Sequence, residues 1–112
     1  MDKIHYKLLK DINLAIQRID FFIGEPKMFQ NYADNLMMQQ AIERNIELIG
    51  EAVNQLLKQK IDLGITDARR IVDTRNKIIH GYDEIEPENI WNIIINNIPT
   101  LKKEVEYLLN KA

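Results

Sequence analysis

The sequence predicts an all-α fold: an up-and-down antiparallel bundle of four main helices, the last one kinked. Three observations predict it. Apolar residues recur at three- and four-residue steps through most of the 112 residues, the period of a helix with one buried face. Glycine (4) and proline (3) are scarce, leaving little material for a turn-rich β architecture. The breaks between periodic runs are short, so successive helices must fold back beside one another.

The first helix runs from about residue 2 to 23. Leu8, Ile12, Ala15, Ile19 and Phe22 form its apolar stripe, and Gly24, Glu25 and Pro26 end it. His5 has no polar company and reads as a surface residue. The second helix, from 31 or 33 to 60, carries Met38, Ile42, Ile46, Ile49, Val53 and Leu56 inward. Arg44, Glu47 and Glu51 form a polar row along it at i, i+3 and i+7. Gly50 sits in its middle, where glycine costs about 1 kcal/mol relative to alanine. Close approach of another backbone is a reason to keep it there.

Residues 60 to 65 read as a loop containing Gly64, with Thr66 as N-cap of the third helix and Asp67 in its first turn. Ala68, Ile71, Val72, Ile78 and Ile79 point inward, and Gly81 stops the helix. Pro87 suits the first turn of the fourth helix, whose apolar positions include Ile90, Trp91, Ile94, Ile98, Leu101 and Val105. Trp91 reads as core or interface rather than a base-stacking platform. Pro99 removes a backbone donor and crowds the preceding turn, which predicts a kink or short break near Ile98. The apolar faces of the second and fourth helices are wide for so small a bundle, which points to a partner chain.

One domain spanning 1–112 fits the length, and 46% hydrophobic with 29% charged residues is the balance of a globular chain. The absence of cysteine excludes disulfides and thiolate metal sites and suits a reducing cytoplasm. The N-terminus has no apolar signal core, and no run approaches the ~20 apolar residues of a membrane span. A net charge of −2 argues against a broad basic surface for coating nucleic acid, but not against one local basic site. Lys58, Lys60, Arg69, Arg70, Arg75 and Lys77 fall in one stretch, followed directly by Asp83, Glu84, Glu86 and Glu88. The acidic run reads as a solvated loop or a docking patch rather than a metal cluster.

The segment from Arg75 to Tyr82 carries the chemistry. It sets a permanent cation and a titratable imidazole, His80, within one and a half helical turns. Asn76 and His80 are i, i+4 neighbours on one face, whereas Arg75 lies about 140° around the axis from His80. A long arginine side chain, or distortion at Gly81, can still bring both groups to one substrate. RNA cleavage without a metal needs a base for the ribose 2′-hydroxyl, an acid for the leaving 5′-oxygen and a cation for the transition state. Histidine suits acid–base work near neutral pH, and arginine grips two phosphate oxygens at once. One His80 does not easily reach both sides of a phosphate, but two copies across a twofold axis do. Spacing alone leaves a second reading open, in which Arg75 and His80 are helix caps or surface ion pairs.

Arg75, His80 and Tyr82 match an R-x4-H-x-Y pattern, and Asn76 matches the polar residue that follows the arginine. The stretch from Ala41 to Ala52, and the segments Ile90 to Ile94 and Ile98 to Leu101, extend the match over nearly the whole chain. In these features the sequence resembles the HepT-like group of the HEPN superfamily. It departs from many relatives in lacking a proline and a tryptophan just before the motif helix. The resemblance implies a HEPN bundle forming a homodimer, with the two motif segments facing one cleft. It implies a metal-independent endoribonuclease toxin with Arg75 and His80 catalytic, and no cofactor. RNA is then the substrate, with neither DNA nor membrane as a partner. A minimal nucleotidyltransferase antitoxin would transfer AMP to Tyr82. Asn76 is expected to bind phosphate or orient His80, and Glu47 and Glu51 to support Arg75. The alternative is a non-catalytic binding subunit that presents substrate to a nucleotidyltransferase.

Overall fold

The computed structural model describes residues 2–60, 62–81 and 85–111. Its elements are α1 (Lys3–Ile23), α2 (Phe29–Ala33), α3 (Leu36–Lys58), α4 (Ala68–Ile79), α5 (Pro87–Asn92), a π-helical turn (Ile93–Asn97) and α6 (Ile98–Lys111). The described residues contain no strand. The expected all-helical bundle is therefore the observed one.

α1 begins at Asp2, whose carboxylate accepts the Ile4 N–H at 2.9 Å, and ends at Gly24 with φ of +67°. Its inward face holds Leu9, Ile12, Ile16 and Ile19, all fully buried. His5 lies on that same face, one turn before Leu9, and is 5% exposed. The surface reading of His5 is thus corrected: helical period, not residue type, decides its burial.

The long second helix is in fact two. α2 stops at Asp34, and Asn35 caps α3 by accepting the Met38 N–H at 2.9 Å. An asparagine side chain competes well for a free amide at a helix start, and that cap divides the run. The short α2 buries Tyr32, which meets the Trp91 ring at 5.9 Å, while Phe29 meets Trp91 at 5.7 Å. Trp91 is therefore committed to packing. Burial holds the Tyr32 phenol above its ordinary range, and neighbouring Glu43 adds to the effect.

Thr66 does not cap α4. The N-cap is Asp67, while the Thr66 amide and hydroxyl both donate to the Glu104 carboxylate on α6. α4 buries Ala68, Ile71 and Val72, but Ile79, expected inward, is 45% exposed. The irregularity expected near Ile98 takes the form of the π turn, not a break. Pro99 has no N–H and would press its ring on the Ile95 carbonyl in a regular α-turn. A wider turn immediately before it accommodates both.

Cross-links fix the antiparallel order. Lys102 on α6 pairs with Asp20 near the end of α1 at 3.1 Å. Thr66 meets Glu104 where Arg70 meets Asn97, so α4 and α6 run in opposite directions. α3 is central, packed on α1 along one side and on α4 along the other.

Candidate active site

α4 crosses α3 at Gly50. A Cβ at Gly50 would lie 2.2 Å from the Arg75 Cβ, 2.7 Å from its Cγ and 3.4 Å from the Ile71 carbonyl oxygen. The close approach expected of Gly50 is thus present, and the Arg75 stem makes most of it. Ile71, Val72 and Ile78 sit four and three residues before Arg75 and three after it, so the arginine occupies the middle of the inward face. Only a bare backbone opposite leaves room for its stem there.

The guanidinium emerges at the edge of the α3–α4 contact, with the side chain 22% exposed. Nη2 pairs with the Glu51 carboxylate, and Nη1 donates to Asn76 Oδ1 at 2.8 Å. Nε is buried and has no acceptor among the described residues. A buried donor without an acceptor costs about 1–3 kcal/mol, so stability alone does not select this arrangement.

His80 is the exposed C-cap of α4, and its backbone N–H donates to the Asn76 carbonyl at 3.0 Å. Gly81 then turns the chain away with φ of +63°, a conformation that favours glycine. The Asn76 side chain stands on the His80 side of α4 and holds the Arg75 guanidinium. That bond draws the cation back around the helix and narrows the angular gap that sequence spacing leaves between Arg75 and His80.

The structure thus brings together Arg75, Asn76 and Glu51, with His80 one turn beyond. Glu47 stands apart: its ion pair, at 3.1 Å, is with Arg44 on the same helix. Arg75 crosses at Gly50 and turns toward the next residue, Glu51, and Glu47 lies a turn back from that point. Tyr82, Asp83 and Glu84 fall outside the described residues. Among the described residues, no group of three or more His, Asp or Glu side chains is placed to hold a metal ion, and no helix is long and apolar enough to cross a membrane.

Sequence reasoning missed a second polar network. Asn97, 8% exposed, donates to Asp67 at 2.8 Å and accepts from Arg70 Nε at 3.3 Å. Its signal was positional: Asn97 is a polar residue in an apolar slot, seven after Ile90 and four before Leu101.

The bundle, with its arginine laid across a glycine and its histidine at the end of the same helix, is consistent with the chain being a small HEPN-class protein. It belongs to the HepT-like ribonuclease family, whose model, described as "Ribonuclease HepT-like", matches residues 12–108. The chain is 31% identical over 99 residues to a protein of Caldanaerobacter subterraneus provisionally named an RNase, covering 86% of this chain and 88% of that one. It is 30% identical over 114 residues to the "Probable ribonuclease HepT" of Thermococcus cleftensis, covering 96% and 98%. No solved structure matches it significantly.

Proposed function

We propose that the chain is a metal-independent endoribonuclease toxin, with Arg75 and His80 acting at a site shared by two copies. The observation that carries this reading is the Arg75 guanidinium, held by Glu51 and Asn76 through one bond each, beside an exposed histidine one turn away. A basic imidazole removes the 2′-hydroxyl proton, and the 2′-oxygen forms a bond to phosphorus. The bond from phosphorus to the 5′-oxygen breaks, and a protonated imidazole, from the second copy, supplies the proton to that oxygen. Arg75 offsets charge on the phosphorane-like transition state. Leu48, 38% exposed and three residues before Glu51, and Ile79, 45% exposed and next to His80, give a second copy apolar surface to cover beside the site.

Neutralisation falls to a minimal nucleotidyltransferase that transfers AMP from ATP to Tyr82: the tyrosine oxygen bonds to the α-phosphorus, the α–β phosphoanhydride bond breaks, and pyrophosphate leaves. An anionic group two residues from His80 repels an incoming phosphate and fills its path.

The test is to incubate the purified chain with RNA in excess chelator. Cleavage leaving 2′,3′-cyclic phosphate and 5′-hydroxyl ends is expected from a dimer by light scattering, and intact RNA defeats the proposal. For the antitoxin, intact mass is read with and without the co-expressed nucleotidyltransferase. One or more AMP additions are expected, absent in Tyr82→Phe; additions that persist in that variant exclude Tyr82 as the acceptor.

A further inference from the structure

We propose that the groove between α4 and α5 carries the RNA strand that flanks the scissile phosphate, with Arg70 and Lys77 as its phosphate ligands. This inference rests on the ribonuclease reading above and names where the substrate lies beyond the cleaved bond. The groove has a volume of about 730 Å³, larger than one phosphate group needs. Among the described residues, Arg69, Arg70 and Lys77 line it against one carboxylate, Asp73, and Asn89 and Ile90 form part of the opposite wall.

Three features separate this groove from an ordinary solvated helix face. The first is charge. Arg69, Arg70 and Lys77, like most cations of the chain, form no ion pair among the described residues, but these three converge on one groove. In a chain with 17 acidic and 15 basic residues, three unpaired cations in one open groove make a local positive field.

The second is preorganisation. The π turn buries Asn97, and Asp67 fixes its amide nitrogen, so that Asn97 Oδ1 holds Arg70 by Nε. Its two terminal nitrogens carry no protein hydrogen bond among the described residues. An arginine restrained in this way loses less side-chain entropy on gripping a phosphate than a free one.

The third is direction. Asp73, Lys77 and His80 fall at i, i+4 and i+7, on one face of α4, so the groove leads along the helix toward His80. Arg70 and His80 are ten residues apart, about 15 Å along the axis, a span for several nucleotides of one strand. The half-buried Ile85 gives the groove an apolar surface that suits the faces of unpaired bases better than a second phosphate backbone, which favours single-stranded RNA. An acidic protein partner is the competing occupant.

The experiment separates binding from cleavage. In a His80→Ala background, affinity for a fluorescent single-stranded RNA is measured by anisotropy across a salt series. Arg70→Gln and Lys77→Gln are each expected to weaken binding several-fold and to lower the slope of log affinity against log salt by about 0.7. Lys103→Gln, an exposed cation of α6 outside the groove, should leave both unchanged. Asn97→Leu keeps every charge yet should weaken binding, and unchanged circular dichroism confirms that the bundle is retained. With His80 present, the two groove variants should raise KM by a larger factor than they lower kcat. Parental affinity and salt slope in both groove variants overturn the proposal, as does equal weakening by Lys103→Gln. Loss of nucleotidyltransferase binding with RNA affinity intact overturns it in favour of a protein partner. Failure of the parent to cleave defeats the ribonuclease reading, while the binding measurements still decide the groove.

Discussion

Replacing His80 with alanine is expected to lower RNA cleavage at least 10²- to 10⁴-fold, the usual contribution of a positioned proton-transfer group. The variant should keep the fold, because the position is exposed and outside the packed core. His80 is exposed at the end of α4, and its backbone bond to the Asn76 carbonyl survives the substitution. If the reading is right, both copies in a dimer lose their acid and their base together. The contrast with Arg75→Ala sharpens the test. That change removes cleavage too, but it strips the stem packed on Gly50 and leaves the Glu51 carboxylate without its partner. It should therefore cost stability as well as activity. Rate and thermal midpoint measured on both variants give the answer. Parental cleavage by His80→Ala removes His80 from the mechanism, whatever its stability.

The parts of this molecule that were legible in the sequence are those fixed by helical period. The inward stripes of α1, α3 and α6, the stop at Gly81 and the disturbance near Pro99 all follow from spacing and from what glycine and proline do to a backbone. Failures cluster where a polar side chain settles a local competition. Asn35 captures the Met38 amide and divides a continuous apolar run. Thr66 gives its hydroxyl to Glu104 across the bundle instead of capping α4, a bond between residues 38 apart that no local pattern reveals. The candidate site was legible in composition but not in contact. Spacing put Arg75 on the wrong side of α4 from His80, and only the bond to Asn76 shows how the guanidinium is drawn back. The Glu51 contact was anticipated for both carboxylates of the polar row, yet one turn of helix separates the residue that meets Arg75 from the one that meets Arg44. The basic stretch of the sequence likewise divides in space. Arg75 turns to α3, and Arg69, Arg70 and Lys77 turn to the groove beside α5.

Gly50→Ala is expected to damage fold and activity together. In an open helix interior this change stabilises by about 1 kcal/mol, because alanine is the better helix former. Here the new methyl would meet the Arg75 Cβ at 2.2 Å, a distance that forces α4 away from α3. Forcing a methyl into a packed contact costs about 1–3 kcal/mol. For a domain of this size each 1 kcal/mol lowers the thermal midpoint by roughly 4 °C or more. Cleavage should fall with it, since a displaced α4 takes the guanidinium out of reach of Glu51. A second substitution identifies the cause. Arg75→Ala does not relieve the clash, because the obstructing atom is the Cβ that alanine keeps, so the two changes should at best add. Arg75→Gly removes that atom and should recover part of the stability lost to Gly50→Ala, despite its own helix cost of about 1 kcal/mol. Cleavage stays absent in both double variants, for they lack the cation. A Gly50→Ala protein as stable as the parent, or equal recovery by alanine and glycine at position 75, would show that the helices do not cross at this point. The placement of the arginine would then need another explanation.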